Sequence, residues 1–184
     1  MDTESIPEHY RKLAAEFTRR VEGVPADRWE SPSPCAGWTA RDVLRHMIDN
    51  HTAMPSHAGM KLELTESVDD APVAAWHEAR AALQEVLNDP AKAAAEYDGY
   101  FGRISVGSTV DQFLAFDLVV HSWDLARATG QDETLPADEV ERTFEMARGL
   151  GDNLRMEGVC GPEVEVPESA SEQDRMLAFV GRRP

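Results

Sequence analysis

The chain has 184 residues, about the size of one compact domain, and 42% of them are apolar, so a core can form without a disulfide framework. Its 18 lysines and arginines against 34 aspartates and glutamates give a formal net charge of −16, which repels phosphate backbones and anionic membranes and excludes both as partners. Cys35 and Cys160 lie far apart with no CxxC spacing, so neither a disulfide scaffold nor a zinc finger is expected.

The stretch 1–13 is charged from Asp2 onward and lacks the apolar run of a leader, and no segment reaches about 18 consecutive apolar residues. A cytoplasmic protein is expected. Ile6, Tyr10, Leu13, Phe17 and Val21 recur in steps of three and four, which predicts an amphipathic helix over 7–21. A breaker-rich stretch follows, and then Thr39 and Asp42 form a T-x-x-D capping box. It opens a second helix carrying Val43, Leu44, Met47, Ile48, His51 and Met54, which Pro55 kinks or ends. A third helix is predicted over 71–88.

Residues 95–107 are rich in glycine and aromatics with short β-like runs, and predict an irregular or hairpin-like connection. Ser108 and Asp111 repeat the capping signal for a fourth helix over 109–129, stopped by Gly130 and almost wholly apolar between Phe113 and Ala126, hence the most central one. Pro136 starts a fifth, with Val140, Phe144, Ala147 and Leu154 on its face. The tail holds an alternating segment, Glu163 to Val166, and a small helix over 171–180. No repeat, low-complexity tract or long linker divides residues 1–184, so a single all-α domain is expected.

The fourth helix carries a stripe of Val110, Leu114, Asp117, His121, Leu125 and Ala128, in which two positions are ionisable. A carboxylate and an imidazole four apart share one face, and burying an unpaired carboxylate costs several kcal/mol. Either the two bond each other, or a divalent metal satisfies both, as in bundles that draw ligands from facing helices. A metal needs a third ligand. Periodicity favours His51, in the middle of the stripe of Ala40, Leu44, Met47 and Met54, over His46 on its flank beside Asn50. His9, His57 and His77 read as solvated histidines, and Cys35 as a small buried packing residue.

The strings Pro34-Cys-Ala-Gly-Trp-Thr-Ala-Arg-Asp-Val-Leu-Arg-His46 and Asp117-Leu-Val-Val-His-Ser-Trp-Asp-Leu-Ala-Arg-Ala-Thr-Gly130 resemble the DinB/YfiT-like superfamily. Within it the chain is most similar to the actinobacterial group related to the N-terminal domain of mycothiol-dependent maleylpyruvate isomerase. The tail segments Pro162 to Pro167 and Asp174 to Arg182 share the resemblance. It implies a DinB-like four-helix bundle, here with an extra helix and a short C-terminal extension, that binds a divalent metal, zinc or nickel. Carried onto this chain, the implied ligands are His46, Asp117 and His121, with Asp117 standing where the isomerase pattern has glutamate, one methylene longer.

Three protein ligands leave a position open for water or substrate, as in catalytic zinc sites. In relatives the nucleophile is a small cofactor, mycothiol or bacillithiol, so the resemblance implies a small-molecule thiol and an electrophile as partners; a homodimer is left open. Trp38 and Trp123 are expected to wall the pocket, Arg127 to hold a carboxylate of the substrate or of the thiol cofactor, and Asp124 to accept the free ring N–H of His121. Two function classes follow: a metal- and thiol-dependent S-transferase, or a non-catalytic metal-binding stress or ligand-binding protein. Isomerisation itself is not expected, since the isomerase draws on a further C-terminal domain.

Overall fold

The computed structural model describes residues 4–184; Met1 to Thr3, part of the charged stretch read against a leader, lie outside the described residues. The chain forms two compact units, one extending to Gln131 and the other running from Asp132 to Pro184. No helix among the described residues is long and apolar enough to cross a membrane.

The first unit is an all-α bundle. Helix α1 (Ile6–Glu22) starts at a capping box of Ser5 and Glu8, α2 (Ala40–Ser56) at the Thr39–Asp42 box, and α3 (Pro72–Asn88) with proline at its first position. A single turn, α4 (Pro90–Ala93), leads into a hairpin of β1 (Glu96–Gly99) and β2 (Gly102–Ser105), paired antiparallel with Tyr97 opposite Ile104. The last wall of the bundle is a long composite helix: α5 (Val106–Thr109), a π-helical segment Val110–Leu114, and α6 (Ala115–Thr129). Gly130 ends it in the left-handed conformation, φ 73°, which a side chain would strain. Helix α1 packs on α3 and α6, and α2 packs on the same two, which closes the four-helix ring.

Phe17, Leu44, Met47, Trp76, Leu83, Leu114 and Leu125 are fully buried between these helices, each contributing about 1.5–3 kcal/mol of apolar burial. Trp76 meets Phe17 edge-on at 4.7 Å, and its indole N–H donates to Thr18 Oγ1 at 2.8 Å, so this bulky core side chain leaves no orphan donor. The connection from α2 to α3 is tied down twice. The Glu78 carboxylate accepts from the backbone N–H groups of Thr65 and Glu66, and Arg41 and Arg45 reach the Val68 carbonyl and the Asp69 carboxylate.

The structure departs from the sequence pattern at three places in this unit. The helix after the hairpin is capped by Ser105, whose Oγ accepts from Ser108 N–H at 3.1 Å, because β2 delivers the chain directly into Val106; the Ser108–Asp111 signal is not the cap. Asp111 instead meets the Nδ1 of His9 at 2.7 Å, and His9, read as solvated, is 2% exposed. The π segment widens the turn ahead of Asp117, so one uniform 3.6-residue period does not run through the whole stripe.

The second unit holds α7 (Ala137–Leu150), a 3₁₀ turn (Gly151–Arg155) and α8 (Glu172–Phe179). Helices α7 and α8 pack together, with Phe144 and Phe179 rings 5.5 Å apart. Among the described residues the Glu163 to Val166 segment forms no strand; Val164 N–H donates to the Ala178 carbonyl, a tie to α8, so alternation there has no partner strand to satisfy.

Candidate metal centre

Asp117 and His121 sit one turn apart on α6, and α2 presents His46 and Asn50, also one turn apart, towards them. One ligand atom each from His46, Asp117 and His121 lies within 4.8 Å of the other two. His46 Nε2 is 3.8 Å from Asp117 Oδ2, and the rings of His46 and His121 meet edge-on at 4.9 Å. The Asn50 side-chain amide fastens this group. Its Nδ2 donates to His46 Nε2 at 3.1 Å and to Asp117 Oδ2 at 3.0 Å. Accepting at Nε2 places the His46 proton on Nδ1 and leaves the Nε2 lone pair pointing inward.

His121 is held from its other side. Its Nδ1 donates to Asp124 Oδ2 at 2.9 Å, so the nitrogen left for a cation is Nε2. Asp124 and His121 are buried, whereas His46 and Asp117 side chains are about one-third and one-quarter exposed, at 32% and 26%, so the centre opens to solvent on the α2 side. Asp117 therefore stands at the rim of the core, not inside it. Of the two ways of satisfying Asp117 and His121, the structure uses neighbours for each, Asn50 and Asp124, in place of a bond between them.

His51, which periodicity favoured, takes no part. It is fully buried, its ring 4.9 Å from Trp76 and 5.8 Å from Tyr10, with Nδ1 donating to the Met47 carbonyl at 2.6 Å. Burial pushes its pKa down to about 4, against the Met47 hydrogen bond and the Asp117 charge, which raise it.

Trp38 covers the cluster, with its ring 5.0 Å from His46 and stacked at 6.3 Å on His121. Trp123 and Arg127 are not brought there. Trp123 projects to another side of α6, is 1% exposed, and carries the Arg127 guanidinium 4.5 Å above its ring. Trp123, two positions after His121, is turned by about 200° around the helix, and Arg127, six positions after it, by about 240°, which is why both miss the cluster. Cys35 is half-buried, and its Sγ donates to Asp124 Oδ2 at 3.3 Å, a polar contact that its reading as a packing residue missed. Asn50 was also missed as a participant, although its i+4 spacing from His46 was the available signal.

Two imidazole nitrogens and a carboxylate oxygen, converging from two helices with one ring oriented by a buried carboxylate, are a donor set that fits a divalent cation. Their present separations are those of a hydrogen-bonded group, with the Asn50 amide bridging two of the three.

The chain matches the family model described as "Mycothiol maleylpyruvate isomerase N-terminal domain" over residues 10–126. It is 29% identical to uncharacterized proteins of Mycobacterium tuberculosis strains H37Rv and CDC 1551 over 168 residues, covering 90% of this chain and 91% of theirs. A Bacillus cereus (strain B4264) protein named "Putative metal-dependent hydrolase" is 35% identical over 54 residues, 29% of this chain and 30% of its own. No solved structure matches significantly.

Proposed function

The chain belongs to the mycothiol maleylpyruvate isomerase N-terminal domain family, within the DinB-like superfamily, and from that premise we propose that it is a divalent-metal-binding protein that activates a small-molecule thiol for S-transfer to a small electrophile. The observation that carries this reading is the half-open convergence of His46, Asp117 and His121. Zinc or nickel is the ion, mycothiol the thiol, and His46 Nε2, Asp117 Oδ2 and His121 Nε2 the ligands. The bound ion supplies Lewis acidity, lowering the pKa of a thiol or water in its open position.

The chain's own residues do the rest. Asp124 fixes the tautomer and tilt of His121. Asn50, which donates to both ligand atoms on the α2 side, is placed to turn its amide to an incoming sulfur or carbonyl oxygen once those atoms are engaged. Trp38 shields one face of both rings from water. Trp123 and Arg127 support α6 and do not hold the cofactor.

The test is cobalt substitution. Adding mycothiol to the cobalt-loaded chain is expected to produce a sulfur-to-metal charge-transfer band, lost in His121→Ala and in His46→Ala but kept in His51→Leu. A metal-loaded protein with no spectral response to any low-molecular-weight thiol at millimolar concentration overturns the transferase reading, and leaves a binder without turnover.

A further inference from the structure

Behind His121, on the side away from Asp117, lies a second convergence of donor atoms, of which the reading above uses only the Asp124 contact that orients His121. Cys35 Sγ–H and His121 Nδ1–H both point at one oxygen, Asp124 Oδ2, at 3.3 Å and 2.9 Å. Each of the three residues offers a donor atom within 4.8 Å of the others. The arrangement is built, not incidental. Cys35 sits in a loop closed by Ser33 N–H to the Trp38 carbonyl at 2.8 Å and by Trp38 N–H to the Cys35 carbonyl at 3.0 Å, with Cys35 N–H donating to Ser33 Oγ at 3.2 Å. That loop delivers the thiol to a carboxylate 89 residues further along the chain.

We propose that Cys35, His121 Nδ1 and Asp124 form a thiophilic cation site for a d10 divalent ion such as zinc, alternative to the His46–Asp117–His121 cluster. It goes beyond the transferase reading and shares with it the His121 ring and Asp124, which that reading uses only to orient His121. The edges of a tetrahedral zinc polyhedron are about 3.5 Å for sulfur to oxygen and about 3.3 Å for nitrogen to oxygen, from ordinary bond lengths. The observed 3.3 Å and 2.9 Å fall short by a few tenths of an ångström. An ion enters by expanding the triangle slightly, without moving helices.

Charge favours it too. A thiolate, a carboxylate and a neutral imidazole bring a divalent ion to zero net charge, whereas the first cluster, with one carboxylate, leaves +1. At a place where Asp124 is fully buried, the neutral assembly carries the smaller desolvation cost. Half-buried Cys35 is the entry side.

The proton balance makes the two sites exclusive. Binding releases the Cys35 proton to solvent and moves the His121 proton from Nδ1 to Nε2, where it faces the Asp117 carboxylate, an acceptor. With that proton in place, Nε2 has no lone pair for the first cluster. One chain therefore takes one ion, soft ions partitioning to the sulfur side.

The test titrates the metal-free full chain with cadmium, a thiophilic d10 ion, reading the ultraviolet thiolate-to-cadmium absorption and, by equilibrium dialysis, the number of ions bound. One cadmium per chain with a thiolate band is expected. Cys35→Ser loses the band and at least tenfold in cadmium affinity, while His46→Ala and Cys160→Ser keep both. Cys35→Ala serves if the serine variant misfolds, and His46→Gln replaces His46→Ala on the same ground. A band that survives Cys35→Ser, or that disappears in His46→Ala, overturns the site, and two ions per wild-type chain overturn the exclusivity. Failure of the transferase reading is separate, since it leaves the cadmium band intact and removes only the cobalt response to added thiol.

Discussion

The side chain that does most to shape the candidate centre is Asn50, because its one amide nitrogen donates to two of the three expected ligand atoms. Replacing it by aspartate turns a donor into an anion beside Asp117, which penalises the metal-free state and adds an oxygen ligand for the loaded one. Asn50→Asp is therefore expected to raise nickel affinity by at least tenfold, about 1.4 kcal/mol, in chelator competition. His51 makes a different prediction. Its pKa is about 4 in the fold against 6.5 when unfolded, so below pH 6.5 the unfolded chain takes up a proton that the native state refuses. Stability is full above pH 6.5 and falls as pH drops towards 4, by roughly 3 kcal/mol at most. His51→Leu is expected to flatten the slope of urea midpoint against pH over that window. Sequence alone gave these two histidines opposite weights: the periodic stripe of α2 favoured His51, whereas the family motif carried His46. The stripe located the apolar core correctly and put His51 in it; what it could not encode is that a bundle helix faces two neighbours, so that a flank position such as His46 looks into the groove towards α6.

At the scale of elements, the composite helix and the Thr39 cap decide where the ligands stand. The Thr39–Asp42 box starts α2 beside the loop that carries Cys35 and Trp38, and Thr39 N–H donates to the Asp42 carboxylate at 2.9 Å. Thr39→Ala is expected to cost about 1 kcal/mol in urea unfolding, with weaker zinc binding because Trp38 precedes the lost cap. That capping box was legible because its signal is four contiguous residues. The Ser105 cap and the π turn were not: the cap depends on a hairpin whose strands are only four residues each, and the π turn is defined by a hydrogen-bond pattern that no residue type specifies. Trp123 and Arg127 follow His121 closely in sequence, yet α6 turns both to another side of its axis, where the guanidinium lies over the indole ring.

For the whole molecule, the charge of −16 sets the response to salt. Like charges repel across a folded surface, and the Debye length contracts from about 30 Å at 0.01 M to about 8 Å at 0.15 M ionic strength, so the midpoint of thermal unfolding is expected to rise with sodium chloride over that range. A midpoint that falls would mean that the surface ion pairs, such as Arg45–Asp69 and Arg41–Glu30, outweigh the net repulsion. The bundle class was readable from three amphipathic stripes and one apolar helix. The long connection between α2 and α3 was not, because its order comes from Glu78, Arg41 and Arg45, which in sequence look like any solvated charges. These ties fasten only its second half, from Thr65 to Asp69. The first half carries Lys61, a side chain 84% exposed that pairs with its near neighbour Glu63. Protease access follows from that division: trypsin is expected to nick the first unit at Lys61 before any helical arginine, and Glu78→Gln to speed the cut by loosening the anchored half, a difference visible on a gel long before unfolding is.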